Sequence, residues 1–253
     1  CFVSACSENQ EETKQEGQKT PSGTPPVSTI TVAVVGKGTG EYWLQVRNGA
    51  EKKGKELTVK VEYYAPKTEV DHSGQIELME NVIQRKVDAI ALSPTDSVAL
   101  SPVVKKAMAA GIKVVTIDSD TQDKDRLCYI GTNNVSAGKI AGQEMLKLVT
   151  KPGKVALVTG VLGAQNLEQR LEGFKEGVKG SKLELLPVQP DNGDKAKAVA
   201  IGENVLTAHP DVLAFFTNNA IAGPGIAQAL KTAKKNGQIK IVPERFEKVY
   251  YNW

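Results

Sequence analysis

From Ile30 onward the chain alternates short aliphatic runs with longer amphipathic stretches, and this rhythm constrains the fold more than any other feature of the sequence. The runs are Ile30–Val35, Leu57–Tyr63, Ala89–Leu92, Lys113–Ile117, Lys154–Thr159, Leu183–Val188, Val212–Phe216 and Gln238–Val242. Most are continuously apolar, as strands covered on both faces must be. Between them Tyr42–Lys53, Glu69–Gln84, Ser97–Ala110, Val135–Leu148, Asn166–Lys179, Lys195–Ala208 and Ile221–Lys235 carry apolar residues at helical spacing. Ile76, Met79, Val82 and Ile83 form one such face. Gly54, Gly111, Gly180 and Gly237 fall where these helices are expected to stop, since glycine takes the left-handed conformation that ends a helix. No two runs are close enough for a hairpin. Each return to the sheet is therefore a crossover, and right-handed crossovers build open parallel sheets. The segment Leu127–Thr132 breaks the rhythm near the middle. The pattern predicts an α/β protein of two doubly wound parallel-sheet lobes joined by a hinge, over 30–132 and 133–253, rather than one eight-stranded sheet.

Composition narrows the function classes. The chain is 40% hydrophobic and 24% charged, with 32 basic against 29 acidic residues, a formal charge of +3. That charge is too small and too dispersed for a nucleic-acid face. No apolar run is long enough to cross a bilayer as a helix. Of the three cysteines, Cys128 is expected to be a half-buried thiol, and the other two lie in the first six residues. There Val3-Ser4-Ala5-Cys6 reads as a bacterial lipobox, with the first five residues a signal-peptide remnant and Cys6 the lipidated residue. Residues 7–29 hold one aliphatic side chain among Glu, Gln, Lys, Ser, Thr, Gly and Pro. Such a segment cannot bury enough apolar surface to offset its ordering entropy, so it reads as a tether behind a lipid anchor.

Enzyme motifs come close and fail. Gly36-Lys37-Gly38-Thr39-Gly40 follows the first strand, but the dinucleotide fingerprint needs a glycine where Glu41 stands. Gly138-Lys139 is followed by Ile140, not by the hydroxyl residue of a phosphate-binding loop, and no G-x-S-x-G elbow occurs. His72 lies in a polar stretch and His209 at a helix end, without metal-site spacing. The residues offer no catalytic set, no metal site and no cofactor site, and catalysis is the weaker class.

Longer stretches carry a resemblance. Ala89 to Ser97 (AIALSPTDS), Gly111 to Asp120 (GIKVVTIDSD), Asn133 to Gly142, Arg170-Leu171-Glu172-Gly173-Phe174, and Ala208 to Asn219 together resemble the ribose-type periplasmic sugar-binding proteins of ABC transporters. The match runs in unbroken order over about residues 30 to 242. It implies two lobes hinged around a cleft, with the ligand at the carboxyl ends of the strands. Candidate ligand-binding residues follow. Tyr42 and Trp43 would lay rings against a sugar's C–H faces, and Asp118 would accept hydrogen bonds from adjacent hydroxyls. Arg170 and Asn219 would close from the second lobe, the first with a donor fork and the second with both polarities. Lys37 and Asp120 are second-tier candidates, and Ser93 and Asn133 complete the set from the matched stretches.

Departures shape the ligand reading. Ser119 stands where many such proteins carry a second arginine, and Asp118-Ser119-Asp120 with Lys37 looks more like the branch that binds rhamnose or a furanosyl signal. Gly193 replaces an aromatic residue, Ala220 an aspartate, and Gly223-Pro224-Gly225 weakens the next helix start. After Val242 the family's glycine-aromatic-aspartate turn and last hinge strand are replaced by Pro243 to Trp253. The expectation is a truncated, frame-shifted or shortened second crossing that leaves first-lobe sheet edge uncovered. The sequence therefore predicts a monomeric, lipid-anchored sugar or polyol receptor at the bacterial periplasm or cell surface, partnered by an ABC permease. A sensory or chemotactic receptor of the same fold is the alternative; a nucleotide-dependent enzyme is a weaker one, and the tether leaves no room for a repressor's DNA-binding helices.

Overall fold

The computed structural model describes residues 30–243. Cys6, the tether and the segment after Pro243 lie outside them. The described residues form two parallel sheets flanked by helices. The first holds β1 (Thr31–Val35), β2 (Lys60–Tyr64), β3 (Ala89–Leu92), β4 (Lys113–Ile117) and β5 (Tyr129–Ile130), in the order β2-β1-β3-β4-β5. Its helices are α1 (Glu41–Leu57), α2 (His72–Gln84) and α3 (Ser101–Ala109). The second sheet holds β6 (Gly153–Thr159), β7 (Leu183–Leu185), β8 (Gln189–Pro190), β9 (Val212–Thr217) and β10 (Lys240–Pro243), in the order β10-β9-β6-β7 with β8 also on β6. Around it lie α4 (Asn134–Leu148), α5 (Gln165–Gly177), α6 (Lys195–Ala208) and α7 (Ala222–Thr232). Every strand pairing is parallel. This is the two-lobed α/β architecture that the alternation predicts.

Local chemistry sets the element ends, and some differ from expectation. Helix α2 begins at His72, not Glu69, because the Asp71 carboxylate accepts from the Gly74 N–H at 2.9 Å and starts the helix there. Glu69 is thereby left ahead of the helix. Gly54 does not end α1 but lies buried inside it. A Cβ there would sit 2.5 Å from Val61 Cγ2 and 2.9 Å from the Val59 carbonyl oxygen, so its role is close approach to β2. The helix ends instead at Thr58, with φ 56°. Gly111 and Gly180 do take positive φ just past their helices, but after α7 the first left-handed residue is Lys234, with φ 55°, and Gly237 lies further along the loop. The expected strand Leu183–Val188 is cut short to β7, and β8 follows beyond its expected end, with Pro187, which has no N–H to give, between them. Cys128 is exposed rather than half-buried: it precedes β5, a two-residue strand that pairs only with β4. Leu127 and Ile130 beside it are also exposed. Helix α7 forms despite Gly223-Pro224-Gly225, for the proline lies in the first turn, where helix N–H groups have no internal partner.

Three apolar clusters hold the lobes. Val35, Met79, Ile90, Leu92, Leu100 and Val114 centre the first. In the second lobe Phe174 stacks on Phe216 at 4.0 Å on one sheet face, and Phe215, Ile226 and Leu230 pack on the other. Helices α4 and α5 cross through glycines. A Cβ on Gly138 would collide with the Arg170 carbonyl oxygen, and one on Gly173 with that of Val135.

Candidate functional site

The polar residues gather where the strands end. Lys37 follows β1, Ser93 follows β3 and Asp118 follows β4, while Asn166 opens α5 after β6, Asp191 follows β8 and Asn219 follows β9. In a parallel sheet all these points lie at one edge, the carboxyl edge, where a crevice forms between lobes.

Asp118 is the centre of the first group. It has φ 60°, a region that residues other than glycine seldom occupy, and the Ser119 N–H turns back to the Ile117 carbonyl at 2.6 Å. That tight turn aims the carboxylate at its partners. Lys37 Nζ lies 3.1 Å from Oδ2. Ser93 Oγ donates to Oδ2 at 3.1 Å, Tyr42 Oη to Oδ1 at 3.3 Å, and Asn166 Nδ2 to Oδ2 at 3.3 Å. Burial alone would push this carboxyl up, but the Lys37 ammonium, the nearby Arg170 charge and the Ser93 hydroxyl hold it below the usual range. Lys37 is itself only 3% exposed. Behind this group Gln75, fully buried, donates to the Gly36 and Ser93 carbonyls at 2.8 Å each and accepts from the Thr95 N–H at 2.8 Å. It fixes the turns after β1 and β3 against each other.

Arg170 reaches the same region from α5. Its Nε donates to Asn134 Oδ1 at 2.9 Å and its Nη1 to the Asn218 carbonyl at 3.2 Å. Asn134 in turn donates to the Tyr129 hydroxyl at 3.2 Å, which donates to the Asp118 carbonyl at 3.0 Å. The guanidinium is thus wired to the backbone of Asp118 through two side chains.

A second group lies along the same cleft. Asn219 Nδ2 donates to both Asp191 oxygens at 2.9 Å, and its Oδ1 accepts from the Ile221 and Ala222 N–H groups at 3.1 and 2.7 Å. Asp191 is fully buried, and burial together with the Glu69 charge pushes its carboxyl up to about 6. Glu69 belongs to the first lobe and accepts from Trp43 Nε1 at 2.7 Å. A Cβ on Gly193 would meet Glu69 Cδ at 3.2 Å, so the missing side chain at that position leaves room for the carboxylate. The lobes also touch where the Ser97 N–H donates to the Gly163 carbonyl at 3.2 Å.

The structure therefore brings Lys37, Tyr42, Ser93 and Asp118 into direct contact, with Arg170 wired in through Asn134 and Tyr129. Three candidates stand differently. Trp43 is 3% exposed and packs edge-on to Tyr42 at 5.0 Å, so it offers its ring to the protein rather than an open face. Asp120 is turned to Arg126, whose Nε donates to it at 2.9 Å, and to Thr116 at 2.6 Å, an arrangement that braces the loop before β5. Asn133 caps α4, accepting from the Ser136 N–H at 3.1 Å. Sequence reasoning missed Asn166, Gln75, Glu69 and Asp191. A polar residue opening a helix just after a strand's carboxyl end was the available signal for Asn166, and the Pro190-Asp191-Asn192-Gly193 turn for Asp191. Among the described residues no cluster of His, Cys, Asp and Glu could hold a metal ion, and no helix is long and apolar enough to cross a membrane.

Comparison with known proteins sets this geometry in a family. The model of the periplasmic binding protein domain matches residues 30–243. The D-ribose/D-allose-binding protein of Pseudomonas aeruginosa is 33% identical over 220 residues, which are 83% of this chain and 69% of that protein. The chain belongs to the periplasmic binding proteins. The ribose import binding protein of Escherichia coli K12 is 30% identical, over 80% of this chain and 68% of its own length. Among solved structures, a carbohydrate-transporter solute-binding protein of Agrobacterium radiobacter in complex with D-arabinose superposes with a TM-score of 0.81 at 31% identity, covering 86% of this chain and 76% of that one. The periplasmic binding protein described here spans about two thirds of the length of these curated relatives. Its relatives are solute-binding proteins and not enzymes.

Proposed function

We propose that this periplasmic binding protein is the ligand-binding component of a bacterial ABC importer and takes a small sugar or sugar-like polyol between its lobes. The observation that carries this reading is Asp118, held ionised at a strand end and met by side chains of both lobes. An ionised carboxylate is the strongest acceptor available to a pair of adjacent hydroxyls. Tyr42 supplies ring surface beside it, Arg170 brings a guanidinium from the opposite wall, and Asn219 holds the Asp191 carboxyl there. The named ligands and roles of the relatives (ribose or allose binding, ribose import, an arabinose complex) support the same class. Lys37 beside Asp118, and Ser119 after it, favour the rhamnose or furanosyl-signal branch over ribose itself. A periplasmic or cell-surface location, a permease partner and a monomeric state belong to this reading. So does an acylated Cys6, which rests on the sequence alone.

The test is a thermal-shift panel of pentoses, deoxyhexoses, polyols and nucleotides, since a ligand bound only by the native state raises its melting temperature. Stabilisation by one sugar or polyol is expected. A response confined to NAD or another nucleotide would overturn the reading.

A further inference from the structure

Asn166 is the side chain through which the second lobe meets the charged pair of the first. Its Oδ1 accepts from Lys37 Nζ at 3.1 Å, its Nδ2 donates to Asp118 Oδ2 at 3.3 Å, and its backbone N–H reaches Ser119 Oγ at 3.5 Å. The residue is 3% exposed. Lys37 and Asp118 are themselves 3.1 Å apart, so the amide lies against both members of an ion pair. A primary amide offers an acceptor to the ammonium and a donor to the carboxylate at once. A carboxylate in its place would face Asp118 with like charge. An apolar side chain would withdraw one partner from a buried ammonium and one from a half-buried carboxylate, which is costly where water cannot fully replace it.

The location matters as much as the chemistry. Asn166 stands in the first turn of α5, on an element packed through Phe174 into the second lobe's core, so it moves with that lobe as a unit. Lys37 and Asp118 follow β1 and β4 and move with the first. The three-way contact exists only when the lobes are together.

We propose that Asn166 is a positioning residue that latches the lobes by reading the intact Lys37–Asp118 pair, and so sets the closed population before and beyond any contact with ligand. The proposal rests on the hinged-cleft reading above, but its test needs no ligand. Small-angle X-ray scattering of the full chain gives the radius of gyration of the wild type, Asn166→Asp, Asn166→Leu and the double variant Asp118→Asn/Asn166→Asp, alongside their melting temperatures. The single variants are expected to be larger than the wild type, with the closed-to-open ratio down about tenfold or more for the loss of charge-assisted bonds. The Asp variant is expected to melt no lower, because a carboxylate in a helix's first turn is favourable. In the double variant the donor-acceptor pair is reversed, and Lys37 keeps a carboxylate partner, now on the second lobe. The radius is expected to return to the wild-type value. A wild-type radius for Asn166→Asp, or no recovery in the double variant, would overturn the latch. The sugars and polyols of the thermal-shift panel, added to the same samples, separate the two ideas. Sugar binding by the wild type, with identical radii across the wild type and all variants, removes the latch and leaves the sugar site. The predicted radii with no response to any sugar or polyol removes the sugar site and leaves the latch.

Discussion

Replacing Asp191 by Asn is expected to stabilise the protein at pH 8 and to lose that advantage as the pH falls toward 4. Asp191 is fully buried after β8, and its hydrogen-bond partners are the Asn219 amide and the Gly193 N–H. Burial raises its carboxyl to about 6, with the Glu69 charge adding to it, while Asn219, Gly193 and the more distant Lys197 charge pull the other way. In the unfolded chain an aspartate titrates near 3.9, so folding displaces it by about 2 units, at about 1.4 kcal/mol each. The carboxyl is an acid whose native value is raised. Its contribution is therefore fully present below about pH 4 and is lost as the pH rises through about 6, leaving the native state about 3 kcal/mol worse off at pH 8. An asparagine has nothing to ionise. It gives back one of the two contacts with Asn219, worth about 1 kcal/mol, so the net gain at pH 8 is about 2 kcal/mol. Near pH 4.5 the two terms are expected to cancel, and below pH 4 the variant is expected to be the less stable by about 1 kcal/mol. Urea unfolding of both proteins at pH 4.5, 6 and 8 measures this directly, because titrating groups that do not interact with Asp191 cancel in the difference between them. A variant no more stable than wild type at pH 8, or one whose advantage is the same at pH 4.5, would show that Asp191 is ionised at little cost and that the argument from burial is wrong.

Four further outcomes are expected. Gly173→Ala forces a methyl group into the Val135 carbonyl at the α4–α5 crossing, and is expected to lower stability by about 2 kcal/mol or more in the same urea assay. Asp118→Asn removes the ionised acceptor but keeps its shape, and is expected to weaken binding of the sugar found in the thermal-shift panel about 10- to 100-fold by calorimetry. Because Lys37, Arg170 and Ser93 hold Asp118 below the usual carboxylate range, affinity of the Asp191→Asn protein, which lacks the cleft carboxyl at about 6, is expected to stay level from pH 8 down to pH 5, and to fall only under more acidic conditions. Cys6→Ala is expected to abolish incorporation of labelled fatty acid in a bacterial host, with the protein moving from the membrane to the soluble fraction.

How much of this was legible depended on whether the responsible interaction is local. Strands such as Ala89–Leu92 and Lys113–Ile117 could be read to the residue, because continuous apolar runs bounded by polar turns report burial on both faces. Asp118 was legible as a polar residue closing such a run. Asn166 was not, because its function lies in meeting residues 48 and 129 positions away, and its own surroundings read only as a helix start. Gln75 was hidden within the helical periodicity of α2. Asp120, two residues from Asp118 and of the same chemistry, was indistinguishable from a site residue until Arg126 was placed against it. Gly54 misled for a related reason: a helix-stopping glycine and a glycine admitting a neighbouring strand look alike in one dimension.

The cleft is asymmetric in charge, and that asymmetry follows from which strand ends contribute to each side. Around Asp118 the carboxylate is balanced by Lys37 and Arg170, so this side can meet hydroxyls as donor or acceptor without a large field. Around Asp191 two carboxylates of opposite lobes influence each other, and only amides, an indole N–H and a distant lysine moderate them. Approach of the lobes brings Glu69 and Asp191 together at a cost, while it brings Asn166 to Lys37 and Asp118 at a gain. A ligand rich in hydroxyl donors satisfies the acidic side and leaves the balanced side intact, whereas an anionic ligand of the same size meets repulsion on one wall. Under the proposed function the Asp191–Glu69 side sets the preference for a neutral polyol and, against Asn166, the balance between separated and joined lobes, so a change at Asp191 is expected to move both.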